Sequence, residues 1–397
     1  MANKHSYDDL RRMLRGHHLP ALVCDLDAFD ANLDALSERA GSRPIRLATK
    51  SVRCRALIER ALAHEAFQGA MCFTAGEAGF LAGGGVQDLL VAYPTVDRRD
   101  LEAVCDAVDA GAKIRLMVDD RAQVEVLANL AERRGVELSL CVDMDVSSEY
   151  PGIWFGVRRS PLRTVEQVIA VASAIDASSH LRLDALMGYE AQIAGLTDKG
   201  HAQGWKGPVI RRLKARSVRE VRARRSNVVR RLRDSGFALP LVNGGGTGSM
   251  ETTASDPSVT EVTAGSGLFA PRLFDHYDAF RHHPALFFAL PVTRRPADGM
   301  VTCHGGGYVA SGPAGEDRLP EVFLPTGGAL LADEGVGEVQ TPVKFKGPSA
   351  LELGDPIFFR HPKSGEVCER FSSILLVSGG AVIDEVPTYR GEGQTFL

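Results

Sequence analysis

No stretch of the chain approaches the roughly 20 consecutive apolar residues that a bilayer-spanning helix requires. A membrane-spanning role is therefore not expected. No Cys-x-x-Cys pair occurs, and the seven cysteines (Cys24, Cys54, Cys72, Cys105, Cys141, Cys303 and Cys368) are scattered and odd in number. That pattern argues against a disulfide framework or a zinc ribbon. No secretory leader is legible, and with the cysteine pattern this leads to the expectation of a reduced, cytoplasmic setting. Neither charge sign dominates: 46 Lys and Arg face 50 Asp and Glu, for a net charge of −4. Nothing in that balance favours nucleic acid or a membrane surface as a partner. Low-complexity tails and short internal repeats are missing too.

What is present is an ordinary globular composition, 44% hydrophobic and 24% charged, over 397 residues. That length suits two or three domains. The basic stretch Arg211–Arg233 carries cations all round a helical pattern, with Val218, Val221, Val228, Val229 and Leu232 interleaved. It reads as a solvated helix face.

From about residue 20 to 275, short apolar runs alternate with helical segments such as Asp30–Arg39, Cys54–Ala63 and Arg121–Arg134. "PALVCDLDAF" opens the series, and "IRLATK", "GAMCFT", "DLLVAYP", "IRLMVD", "LSLCVDMDV", "LRLDALMGYE", "LPLVNGGG" and "TEVTAGSG" continue it. Nearly continuous apolar strands are buried on both faces, as in a parallel sheet. The expected fold is α/β, an N-terminal (β/α)8 TIM barrel over residues 20–275. From 276 to 397, short strands punctuated by Gly and Pro predict a C-terminal all-β domain, with the helical residues 1–19 assigned to it.

In such a barrel the chemistry lies at the C-terminal strand ends. Thr49-Lys50-Ser51, Thr74-Gly76-Glu77, Tyr93-Pro94, Asp145, Gly188-Tyr189-Glu190, Asn243–Thr247 and Ala264–Gly267 all fall there. Barrel walls would desolvate Lys50, and Arg46 or Arg53 would push on its charge. Both effects favour a neutral amine able to form a Schiff base. "NGGGTGS" (Asn243–Ser249) and "TAGSG" (Thr263–Gly267) offer bare N–H groups and hydroxyls that suit a phosphate. A lysine early in the barrel and a phosphate cup late in it are the two attachment points of pyridoxal 5′-phosphate (PLP).

The succession "RLATKS", "DLLVAYP", "NGGGTGS", "AGSG" and then a β domain resembles the alanine-racemase-like, fold type III PLP enzymes. Within them it is most similar to the D-threonine aldolase and D-serine dehydratase branch. The resemblance implies a PLP-binding barrel, a β domain that completes the active site, and a homodimer. It implies Lys50 as the Schiff-base lysine and Gly245, Gly246, Thr247, Gly265 and Ser266 as phosphate-loop residues. Tyr189 and Arg158 fall at its cofactor-contacting positions, and Gln192 stands where relatives often have histidine. The substrate it implies is a small D-3-hydroxy amino acid, cleaved to glycine plus aldehyde or dehydrated to keto acid plus ammonia. An amino-acid racemase using Tyr308, a non-catalytic PLP-binding protein, and a sugar-phosphate barrel enzyme without PLP are the competing readings.

Relatives in this branch hold a divalent metal through a histidine and, two residues later, a cysteine or aspartate. Here His361 matches the histidine, but Lys363 stands two residues later, and a protonated lysine is a poor ligand. A hairpin over Pro362–Gly365 would bring His361 and Glu366 together as a Mn or Zn pair, with Cys368 a further candidate. His361 is also the candidate acceptor of the substrate's β-hydroxyl proton. "CHGGGYVASG" (Cys303–Gly312), with His304 and Tyr308, is a candidate lining of the same mouth.

Overall fold

The computed structural model describes residues 5–199, 207–313, 315–347 and 350–397. Its centre is a closed barrel of eight parallel strands: β1 (Ile45–Ala48), β2 (Phe67–Cys72), β3 (Asp88–Val91), β4 (Lys113–Val118), β5 (Leu138–Asp143), β6 (Leu181–Met187), β7 (Leu241–Gly244) and β8 (Glu261–Ala264). The ring closes where β8 pairs with β1, Val262 opposite Ile45 and Ala264 opposite Leu47.

Two layers of unlike chemistry fill the lumen. Near the strand starts, Arg46, Asp88, Arg115, Asp184 and Glu261 form one ion-paired chain. Arg46 reaches Glu261 at 2.6 Å and Asp88 at 2.8 Å, and Arg115 reaches Asp88 at 2.7 Å and Asp184 at 2.5 Å. A Cβ at Gly69 would lie 2.6 Å from the Arg46 guanidinium, so glycine makes room for it. Above them Leu90, Met117, Cys141, Ala185 and Met187 form an apolar plug. The lumen is thus packed, and ligands are confined to the C-terminal mouth.

The apolar run that opens the alternating series does not join this ring. Strand Ala21–Asp25 lies in a nine-stranded sheet, antiparallel to Leu286–Ala297 and parallel to Ser373–Ser378. All five of its residues are buried. Burial on both faces is what the apolar run encodes, and a central strand of either sheet satisfies it. The 12-residue strand Leu286–Ala297 is the spine of the second sheet, pairing with Ala21–Asp25, Met300–His304 and Pro356–Arg360. Helix Tyr7–Met13 packs on the same layer: the Tyr7 ring meets Phe358 edge-on, and Arg11 pairs with Asp355 at 2.7 Å. No helix among the described residues is long and apolar enough to cross a membrane. All seven cysteines are buried and free.

Candidate active site

Lys50 sits in a single 3-10 turn, Thr49–Ser51, that ends β1 at the mouth. The turn is held at both sides. Thr49 Oγ1 donates to the Met71 carbonyl at 2.9 Å, and Arg53 Nε donates to the Lys50 carbonyl at 3.0 Å. The Lys50 side chain is exposed, and its Nζ donates to the Tyr93 hydroxyl at 2.9 Å. Burial pushes the Tyr93 phenol up, but Lys50 and then Arg159 pull harder, and the net result lies below its ordinary value.

Neither arginine invoked from the sequence presses on the amine. Arg46 is locked in the ion chain at the opposite end of the barrel. Arg53 turns its guanidinium to Glu369 at 2.7 Å and over the Phe73 ring. The cation at the mouth is Arg159, between the rings of Tyr93 (5.7 Å) and Tyr189 (5.8 Å). Arg158, the sequence candidate for this place, stacks on Trp154 at 4.3 Å instead. Asp143, two residues beyond Cys141 on the same face of β5, joins the group. Burial, then Asp119, pushes its carboxyl up to about 8.

The late glycine loops interlock beside this cluster. Ser51 Oγ lies 3.0 Å from Ser266 Oγ, and the Gly267 amide donates to Thr247 Oγ1 at 3.1 Å. A Cβ at Gly265 would sit 2.5 Å from the Ala48 carbonyl, and one at Gly246 would press on Ala194 and Tyr189. Glycine therefore lets the two loops and β1 approach closely. Tyr189, whose phenol burial pushes up to about 12, borders the same cradle. Gln192 turns away, donating to the Val146 carbonyl and to Ser217.

The support under the loop came from an unexpected element. Arg225, within the basic helix Gly207–Asp234, is buried and not solvated. It pairs with Glu190 at 2.9 Å and Asp256 at 2.8 Å, and donates to the Gly188 carbonyl at 2.8 Å. Glu190 in turn accepts from the Gly245 amide at 3.2 Å and from the Thr253 hydroxyl.

The expected hairpin around His361 does not form. Strand Pro356–Arg360 is followed by a turn and by a 3-10 segment, Glu366–Arg370, so strand alternation never applies. Glu366 accepts from the Ser311 amide at 2.6 Å and its hydroxyl at 2.7 Å. Burial pushes the Cys368 thiol up, which keeps it protonated. His361 is buried, and neither ring nitrogen has a hydrogen-bond partner among the described residues. Burial, then Arg360, pushes its pKa down to about 3, so the ring is neutral. Lys363 Nζ donates to the Ser311 carbonyl at 2.8 Å and hydroxyl at 3.2 Å. One neutral imidazole beside an ammonium is not a donor set for Mn or Zn. Among the described residues, the one cluster of three His, Cys, Asp or Glu side chains able to share an ion is His5, Asp25 and Asp27, far from this turn in the sequence.

His361 and Lys363 line a cleft of about 430 Å³ with Arg53, Tyr308 and Glu366. The cleft adjoins the Lys50 turn without including Lys50 itself. The Tyr308 ring packs on Phe288 and Phe371, and His304 is exposed.

Residues 24–272 match the family model described as the alanine racemase N-terminal domain. The chain belongs to that family. Among curated relatives, the family member is 27% identical over 255 residues to a 3-hydroxy-D-aspartate aldolase of Paracoccus denitrificans, covering 63% of this chain and 60% of that one. It therefore spans about 60% of that relative's length. It is 26% identical over 294 residues to a D-threonine aldolase of an Arthrobacter species, covering 72% and 71%. A solved D-threonine aldolase from Filomicrobium marinum superposes with a TM-score of 0.79 at 22% identity, over 94% of this chain and 95% of that one. The superposition shows a shared fold across barrel and β domain together.

Proposed function

We propose that this alanine racemase family chain is a PLP-dependent lyase that cleaves small D-3-hydroxy amino acids to glycine and an aldehyde. One observation carries it. A lysine amine and a cluster of hydroxyls and backbone amides from the late glycine loops share one rim, joined through Lys50-Ser51 and the 3.0 Å contact of Ser51 with Ser266. The aldolase relatives support the substrate class.

The cradle fits the cofactor's phosphate by its own chemistry. Thr247, Ser266 and Ser51 supply hydroxyls, and among the described residues no acceptor lies on the Thr247 and Gly248 amides. Lys50 would hold the aldehyde end as a Schiff base, with Arg159 and Tyr189 beside the ring. When bound, PLP supplies an electron sink for the bond broken at the substrate's Cα.

The chain's own groups do the rest. Tyr93 keeps the Lys50 amine at the rim, and Arg159 adds positive charge between the two phenols. His361, whose ring nitrogens have no hydrogen-bond partner among the described residues and which lines the cleft, is the side chain assigned to take the β-hydroxyl proton. As that proton leaves, the Cα–Cβ bond breaks, the Cβ–O bond becomes a carbonyl, and the aldehyde departs. Cα then takes a proton, for which Lys50 is the donor, to give glycine. Dehydration, with hydroxide lost from Cβ, would yield keto acid and ammonia from the same residues, and the named relatives include aldolases of this substrate class. A homodimer, with a second copy covering the exposed Lys50 mouth, is part of this reading, and sedimentation would test it.

The deciding experiment pairs a product assay on D-3-hydroxy amino acids with Lys50→Ala. Glycine plus aldehyde from the wild type, and loss of both turnover and the borohydride-reducible visible band of PLP in the variant, are expected. An unchanged reducible band in Lys50→Ala would refute the assignment.

A further inference from the structure

We propose that the Lys363 ammonium takes the place of the divalent cation, so that a lysine N–H and not a metal ion holds the β-oxygen of the substrate. The inference rests on the lyase reading above and adds how the leaving group is gripped.

Three observations meet at this residue. First, the turn that carries Lys363 is clamped to the rim. A Cβ on Gly365, at φ +86°, would lie 1.9 Å from the Lys50 carbonyl oxygen, so the turn's backbone rests directly on the Lys50 turn. Ser364 Oγ also donates to the Ser266 carbonyl at 3.1 Å, which ties the turn to the phosphate loop. Lys363 is therefore fixed between the two ends of the proposed cofactor site.

Second, the ammonium is oriented and not saturated. Of its three protons, two are directed at Ser311, at 2.8 and 3.2 Å. Glu366, 3.9 Å away, is occupied by the Ser311 amide and hydroxyl. One N–H remains for a ligand oxygen in the cleft that Lys363 and His361 line together.

Third, the metal's own donors are gone. The neighbouring imidazole has no second donor beside it among the described residues, Cys368 is buried in the 3-10 segment that follows the turn, and Glu366 is engaged by Ser311. A fixed ammonium would repel an arriving divalent ion, and lysine offers it no lone pair while protonated. The two devices differ in consequence. A metal ion would also acidify the bound hydroxyl. An ammonium only orients it and stabilises its developing charge, which leaves proton removal to His361.

The test uses the PLP-loaded enzyme and two readouts. Wild-type protein is equilibrated with Zn²⁺ or Mn²⁺, gel-filtered and assayed for metal by atomic emission. Turnover of D-3-hydroxy amino acids is then measured with and without chelator. Metal retained well below one equivalent per chain, and a rate unchanged by chelator, are expected. Lys363→Met should keep the visible PLP band, which shows it folded and loaded, yet lose about a hundredfold in turnover. Lys363→Arg should recover part of it. One equivalent of retained metal with chelator-sensitive turnover would overturn the inference, as would full activity in Lys363→Met. A wild type that shows the PLP band, retains no metal and turns over no D-3-hydroxy amino acid would refute the lyase reading and with it the grip on a β-oxygen, whereas metal-dependent turnover would refute the inference alone.

Discussion

At the scale of single residues, the mouth is organised by pairs of neighbours with opposite fates. Arg158 and Arg159 are adjacent in the irregular stretch after strand Ile153–Phe155, and one stacks on Trp154 while the other reaches the tyrosines. Sequence alone offers no way to decide which, whereas the position of Lys50 at the barrel mouth was legible because it ends an apolar strand. Tyr93 was visible as a polar residue at a strand end, but its bond to Lys50 needed the closed barrel. Tyr93→Phe removes that bond, and kcat should fall about tenfold to a hundredfold with little change in KM, read by steady-state kinetics. Glu77 makes a second prediction. It is buried, accepting from the Phe73 amide at 2.7 Å and the Tyr389 hydroxyl at 2.8 Å, and burial pushes its carboxyl from 4.5 up to about 7. The folded state then binds the proton more tightly than the unfolded chain. Its contribution is full below about pH 4.5 and is lost as pH rises through about 7, with a span of about 3 kcal/mol. Urea unfolding of Glu77→Gln across this window should lack that decline; a parallel decline in both proteins would remove Glu77 as its cause.

At the scale of elements, the late glycine loops show how a flexible sequence becomes a fixed cradle. "NGGGTGS" alone allows many conformations, and a glycine-rich stretch is an incomplete prediction until something holds it. The Arg225–Glu190–Asp256 group does so from below. In the sequence Arg225 is one of many cations on a helix, Gly207–Asp234, that is basic on every face, and helical periodicity cannot say which cation meets a buried carboxylate. Arg225→Met should cost about 3–5 kcal/mol by leaving Glu190 and Asp256 unpaired. It should also weaken PLP retention on dialysis more than Lys214→Met does, although Lys214, in the same helix, also pairs with a carboxylate, that of Asp198. Gly265→Ala places a methyl against the Ala48 carbonyl and should destabilise by about 1–3 kcal/mol while loosening the Ser51–Ser266 contact. Titration of PLP into the apoprotein reads that second effect. The hairpin expected at His361 failed for a related reason. Gly365 adopts a positive φ so that the chain can rest on the Lys50 turn, and the next residues coil into a 3-10 segment. Only the tertiary contact reveals that need.

At the scale of the whole molecule, alternating apolar and helical segments announced a barrel, and the Gly- and Pro-rich remainder announced a β domain. The allegiance of the opening strand was not legible. An apolar run states how deeply it will be buried, and Leu22 or Val23 would be equally buried in either sheet. The C-terminal segment likewise docks on the barrel side: Tyr389 is almost wholly buried, packs against Phe80 and Phe396, and bonds to Glu77. Removal of residues 388–397 should therefore lower the thermal midpoint and expose Glu77 to water, which calorimetry would detect.

Strand Ala21–Asp25 finds its parallel neighbour, Ser373–Ser378, only at the far end of the polypeptide. During synthesis this strand is thus made long before that neighbour, and a sticky apolar edge must wait while the ribosome completes everything between. Premature termination anywhere in that interval would leave the edge bare, which makes unfinished chains of this protein natural clients for whatever shields nascent β edges in the cell.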